Sequence, residues 1–576
     1  MASLVQSIFT GNLEAEFQRQ LSQFLSERTV ERLFAGDNTL WPEELTAHDP
    51  ALAKLDWLLL PTQLGQFSSL LQENFRIADA EGLLDHALLT SESLDLTVRS
   101  FLEFPGISYQ RKVIVFDSVS PEFIQSNEAQ LDLRRTLFVV SNKRHYGLRD
   151  HCLFLYFQEQ LRKIVGDQGS NQLISETHPH SYLATLSREY SFREIRSDPT
   201  AVPATYCSVM QFAAFLIATG MADPDQIYAA VNGMLAACSN SQQPNLNAAL
   251  QLAALLNSTI ASHKPYLAFV VSPSLAAFSR RLSQIVGGSL ARKWPGLIPL
   301  VGAMPRHTAA YQNDAAFAVL SCSADNNEEL TACIGRLQSS GVPFVHIQID
   351  NPLHLLPEVF KWEAATILTC AKIGVDPFDL ADNHVPRFLS RELLEQLAQG
   401  QDPLQRSARI TDRFIQLYAD GTTRQQISTL SFAEALRTFF KIATPEKHIR
   451  LLVQMDPTPE LLAKFAILRR ILGSVLHRPI VLAFGPLASE QSTYLFRDSL
   501  PYGLCIVFTT DPITDTPIPG ANYTFGQLHQ VLALCEYDAM AHWQRPVIRL
   551  HLAHQFPEAL DQLLHVFEDA LHRFRP

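Results

Sequence analysis

The chain has 576 residues, 47% hydrophobic and 18% charged, with net charge −12 and mean hydropathy +0.02. That is an ordinary soluble globular composition, long enough for about two to four domains with filled cores. The acidic balance argues against a nucleic-acid partner, which would call for a concentrated basic face.

The opening segment, MASLVQSIFTGNLEAEF, has neither a basic leader nor a long apolar core, so no secretory signal is expected. Leu13, Phe17, Leu21, Phe24 and Leu25 recur at helical spacing and predict a helical arm within 1–50. After Pro50, β-rich runs at 86–90, 112–117 and 136–141 alternate with helical segments such as 148–165. Strands alternating with helices predict a parallel sheet with crossovers, hence a first α/β domain over 51–240. A helical stretch covers 207–261. Its longest apolar run, 209–222, is too short to span a bilayer, so no membrane partner is expected.

The alternation resumes at 266–272, 296–302, 316–321 and 343–349, predicting a second α/β domain over 241–396. Segment 397–430 is polar and rich in Gln, Arg and Thr, which suggests a linker or exposed helix. Beyond it the order is strand 448–455, helix 458–476, strands 479–485 and 503–510, helix 524–543, strand 546–552 and helix 557–573. The β-α-β-β-α-β order predicts a ferredoxin-like α+β subdomain within 397–576. The eight cysteines are scattered with no C-x-x-C pair, and are expected to be buried free thiols of a cytoplasmic protein. His178 and His180 lack companion ligand spacing, and neither a metal nor a cofactor is expected.

Several ordered segments carry a resemblance. LFAGDNTLW (33–41), VIVFDSVSP (113–121), FKWEAATILTCAKIGVDPFD (360–379) and DTPIPGANYTFGQLHQVLALCEYDAM (515–540) resemble motifs of the phosphoglucose isomerase family. The similarity is greatest to the isomerase half of bacterial transaldolase/phosphoglucose isomerase fusions. It implies two SIS-type parallel-sheet α/β sandwiches and places the chain in sugar-phosphate metabolism, glycolysis and gluconeogenesis. Glu363, Trp362, Pro377, Phe378 and Asp379 fall in the most family-like segment, where their expected role is architectural, with Asp379 capping local N–H groups.

The same resemblance implies where the chemistry should lie, and the residue types there are altered. The first phosphate loop corresponds to LLTSESLDL (88–96), where Glu92 and Asp95 place negative charge near a dianion's position. Like unit charges 4 Å apart repel by about 4 kcal/mol at an effective dielectric of 20. The second corresponds to SNKRHYG (141–147), with Ser141 and Lys143 retained beside Arg144 and His145. The enediolate-steadying arginine is replaced by Thr205, and the ring-opening His and Lys by Phe496 and Arg497. Arginine cannot release a proton near neutral pH.

The base position, in QIVGGSLARKWPGLIP (284–299), is Gly288. It lies in a run, 226–313, that contains no Asp or Glu at all. The leading expectation is therefore an isomerase-family protein without intact catalytic residues, with a structural or regulatory role beside a carbon-metabolism enzyme. Two rivals stand beside it. One is a rebuilt pocket for a sugar phosphate or other small anion, using Ser141, Lys143, Arg144, His145 and Arg497. The other is an active glucose-6-phosphate isomerase whose base comes from elsewhere in the fold. His354 is a further candidate for lining a cleft.

Overall fold

The computed structural model describes residues 5–90, 94–107, 109, 111–142, 147–197, 202–291, 295–303, 313–379, 384–427, 431–442, 448–485, 503–553 and 556–572. Its strands are β1 (Val5–Phe9), β2 (Asp85–Leu89), β3 (Val113–Phe116), β4 (Thr136–Ser141), β5 (Leu173–Thr177), β6 (Glu194–Ser197), β7 (Tyr266–Val271) and β8 (Ile298–Leu300). They continue as β9 (Ala315–Ser321), β10 (Phe344–Gln348), β11 (Ile410–Asp412), β12 (Ile415–Ala419), β13 (Ile449–Val453), β14 (Ile480–Phe484), β15 (Leu504–Thr510) and β16 (Val547–Leu552). The chain forms two compact units: 1–117, 129–301 and 312–380 make the first, and 118–128, 302–311 and 381–576 the second.

The first unit holds two five-stranded sheets. One has the order β3-β2-β4-β5-β6 and is parallel throughout. The other, β1-β10-β9-β7-β8, is parallel except for β1 at its edge. Every residue of β4 and β9 is buried, as expected of central strands covered by helices on both faces. Four helices carry the side chains of chemical interest in this unit: α1 (Leu94–Leu102), α2 (Leu148–Val165), α3 (Ala276–Leu290) and α4 (Leu355–Ile373). Helix α3 packs against both α1 and α4. Helix α4 is buried along most of its length and ends at Gly374, whose φ of 65° supplies the left-handed cap.

The N-terminal segment is not helical throughout. VQSIF forms β1, and the helices Glu14–Ser26 and Thr29–Phe34 follow it. Gln6 on β1 accepts a hydrogen bond from Lys361 (2.5 Å), which is itself paired with Glu358 at 2.7 Å in complete burial.

The second unit has one six-stranded sheet, β11-β12-β16-β15-β13-β14, with helices α5 (Pro459–Leu476) and α6 (Phe525–His542) connecting its strands. The α/β class with predominantly parallel sheets is as the sequence predicts, and so is the C-terminal order of elements. The pairing departs from a ferredoxin-like sheet. Strand β14 lies beside β13 and parallel to it, and β13, β15 and β16 are also parallel. The long connection from β14 to β15 permits a crossover where a ferredoxin-like sheet would need a hairpin, giving a doubly wound arrangement. The polar 397–430 segment also contributes strands. Ile415, Leu417 and Ala419 alternate inward from β12, which pairs antiparallel with β16. All eight cysteines are buried and none forms a disulfide.

Candidate functional site

In the first sheet the chain leaves β2 for β3 on one side, and β4 lies on the other. The carboxyl ends of β2 and β4 therefore flank the topological switch point, where open α/β sheets place ligands. Both sequence-predicted phosphate loops leave from these ends. Glu92, Lys143, Arg144 and His145 lie outside the described residues, as do Phe496 and Arg497. The residues bordering these loops are described, and they form a dense charged cluster.

Asp95, in the first turn of α1, is completely buried, and neither carboxylate oxygen has a hydrogen-bond partner among the described residues. Burial, reinforced by the negative charge of Asp117, pushes its pKa up to about 7. Arg99, one turn further along α1, grips Asp117 at the end of β3 with two hydrogen bonds of 2.8 and 2.7 Å, and reaches the Val115 carbonyl at 3.0 Å. Asn142, just past β4, donates to Asp150 of α2 at 2.8 Å. Ser141 is 1% exposed, and its hydroxyl lies 3.4 Å from the Glu176 carboxylate on β5. The one described member of the predicted anion-binding set is thus already engaged within the protein.

Thr205 and Gly288 are far apart in sequence, yet their neighbours meet. Tyr206 and Ser289 share a hydrogen bond of 2.7 Å, and Ser289 also donates to the Pro377 carbonyl at 3.0 Å. Gly288 is half-buried on α3. The position predicted for the base therefore carries no side chain, and a Cβ there would meet no described atom within 4 Å.

Thr205 turns its carbonyl to Arg281, one of the cations of the acid-free stretch. Arg281 also donates to the Ser208 hydroxyl at 3.1 and 2.7 Å and pairs with Glu363 of α4 at 3.3 Å. Glu363 accepts in addition from the Trp57 indole at 3.3 Å. These two charged side chains are 0% and 1% exposed. Burial pushes the Glu363 pKa up to about 7 and lowers that of Arg281. Both shifts have the same origin, the loss of water around each charge, which the partner charge only partly offsets.

Sequence reasoning singled out Asp95 and Glu363 but not Arg281. The available signal was its place within an apolar face of α3, between Phe278, Leu282 and Ile285. In the same turn as Asp379, Asp376 accepts from the Phe378 N–H at 2.8 Å. His354 is half-buried in a short turn before α4.

No family model and no curated protein matches the chain. Among solved structures, a hypothetical protein from Thermus thermophilus is similar with TM-score 0.55 and 18% identity, over 68% of this chain and 100% of that one. A glucose-6-phosphate isomerase from Chlamydia trachomatis is similar with TM-score 0.50 and 12% identity, over 68% of this chain and 89% of that one. The class this defines is one of fold: an α/β architecture similar to that of these two structures. No described helix is long and apolar enough to cross a membrane.

Proposed function

We propose that the chain is a sugar-phosphate isomerase-like protein that no longer isomerises glucose 6-phosphate. It would serve a structural or regulatory role in the cytoplasm beside an active enzyme of carbon metabolism. The observation that carries this reading is Gly288. Aldose–ketose isomerisation needs a base to move a proton between C1 and C2, and a positioned base contributes about 10²- to 10⁴-fold. The α3 position that resembles the base position accommodates a Cβ and carries no carboxylate. The arginine position, Thr205, offers its carbonyl to Arg281 instead of a cation to an enediolate.

Glu363 has a pKa suited to proton transfer, but it is 1% exposed and engaged by Arg281 and Trp57, which argues against its serving as a relocated base. Asp95 adds a buried acidic group beside the first predicted phosphate loop, and its ionised form would oppose a dianion there.

A coupled assay run in both directions between glucose 6-phosphate and fructose 6-phosphate tests the proposal. Turnover should be absent, whereas activity within a hundredfold of an ordinary isomerase would end it. Co-purification from native cells should recover a metabolic enzyme with the chain, and recovery of the chain alone would remove the regulatory part of the reading.

A further inference from the structure

The second unit contains a cavity of about 290 Å³ with no part in the reading above. Its place in the sheet is informative. The chain leaves β13 toward β14 on one side, while β15 and then β16 lie on the other, so the switch point falls between the carboxyl ends of β13 and β15. The cavity opens there. Gln454 lines it from the end of β13, Thr509 and Asp511 from the end of β15, His551 from β16, and His529 from the start of α6. Ligands of doubly wound sheets bind at this point.

Arg549 on β16 lines the same cavity at 8% exposure. Its guanidinium lies 3.8 Å from the centre of the Tyr418 ring, and its hydrogen bond to the Thr509 hydroxyl is long at 3.4 Å. Its Nε has no partner, and no carboxylate forms an ion pair with it among the described residues. The nearby Asp538 is held instead by Arg406 through two bonds of 2.6 and 2.7 Å. Burial lowers the pKa of Arg549. An uncompensated buried charge is costly, and it is the arrangement a protein adopts when the missing anion comes from outside.

A second polar group lines the cavity. His529 is 7% exposed, and its Nε2 lies 3.1 Å from the Gln454 carbonyl. A carbonyl can only accept, so Nε2 carries the proton and Nδ1 is left as an acceptor, and it has no partner among the described residues. Among the described residues the lining thus includes a cation without an ion pair, while the unpartnered His529 Nδ1 is itself buried. At the rim, Asp511 receives Gln530 at 2.7 Å and lies 3.4 Å from His551. Asp402 and Asp511 also line the cavity and repel an anion, which leaves Arg549 as the lining group to hold an occupant's acidic head. The volume sits at the bottom of the range of about 300–1,000 Å³ that holds drug-sized ligands, so the occupant is small.

We propose that this cavity binds a small hydroxylated anion, with its acidic head on Arg549 and its hydroxyls among the polar side chains that line the cavity, Thr509, Gln530 and His551. The shared chemistry is that of a sugar acid or a sugar phosphate, and titration of the full-length chain separates the two. The probes are gluconate, glucose 6-phosphate, neutral glucose and inorganic phosphate, followed by calorimetry and by the shift in Tm. Gluconate or glucose 6-phosphate should bind saturably, at least tenfold more tightly than glucose or phosphate, and Arg549→Gln should weaken that binding at least tenfold. Leu404→Trp, on a surface turn lining the cavity, should also abolish binding and does not disturb the sheet. An exposed first-unit control, Ser69→Ala, should leave binding unaltered, and because the readout is binding and not turnover the test stands apart from the isomerase assay. Absence of binding by both anions would overturn the proposal. So would glucose binding as tightly as the anions, or affinity left intact in Leu404→Trp.

Discussion

Two sheets of this molecule share a doubly wound plan and treat their ligand-binding edges in opposite ways. At the first, between β2 and β4, the cation Arg99 is matched internally with Asp117 and the unpartnered charge is an acid, Asp95; Arg281 pairs with Glu363 elsewhere in the same unit. At the other, between β13 and β15, Arg549 is buried with no carboxylate paired to it among the described residues and faces an open cavity. The fold by itself therefore does not decide whether a switch point is a site. What decides it is whether the buried charges there already have partners, because an internally paired edge has little left to offer an external anion.

The largest expected effect tests that contrast directly. Arg281→Met or Glu363→Gln leaves its partner buried and uncompensated, and should cost about 3–5 kcal/mol in urea unfolding. Replacing both with apolar residues of similar size should recover most of that loss. Arg549→Gln strands no carboxylate and should cost at most about 2 kcal/mol, the worth of its contact with Tyr418. Equal losses at Arg281 and Arg549 would erase the distinction between the two edges.

Asp95 gives the next largest effect, with a defined sign. Its folded pKa of about 7 lies above its unfolded value of 3.8, so the folded state holds the proton more tightly. Its contribution is most favourable below about pH 4 and is lost as pH rises toward 7, amounting to at most about 4 kcal/mol. Asp95→Asn should flatten stability between pH 4 and 7 and raise it at pH 8. An unchanged pH profile would show that Asp95 is not the buried acid of this edge. The smallest effect belongs to Gly288→Glu. The site accommodates a Cβ and lies in a helix, so the change should alter stability by less than about 1 kcal/mol, in the stabilising direction. A large loss would mean that the vacant position is closed to a carboxylate.

Much of the fold was legible because its signals are local. Strand β4, predicted over 136–141, occupies Thr136–Ser141, and the helix predicted over 458–476 runs Pro459–Leu476. Long apolar runs bounded by turns fix such elements whatever surrounds them. Strands β1 and β12 were not legible. Each is five residues long, and a polar segment or a following helix dominates its window. They become strands by pairing with β10 and β16, which are distant in sequence. For the candidate site, the resemblance in sequence directed attention to Thr205 and Gly288, but their proximity through Tyr206 and Ser289 depends on the packing of α3.

The sequence by itself determined the alternation of strands and helices, the α/β class and the absence of any carboxylate near Gly288 in the chain. These are properties of short windows and of composition. Only the tertiary structure decided that β14 lies beside β13, that Arg281 meets Glu363, and that Arg549 forms no ion pair among the described residues. Strand order and charge pairing are set by contacts between residues tens to hundreds of positions apart. The cost of burying a charge depends on those contacts and not on the residue's own neighbours in sequence.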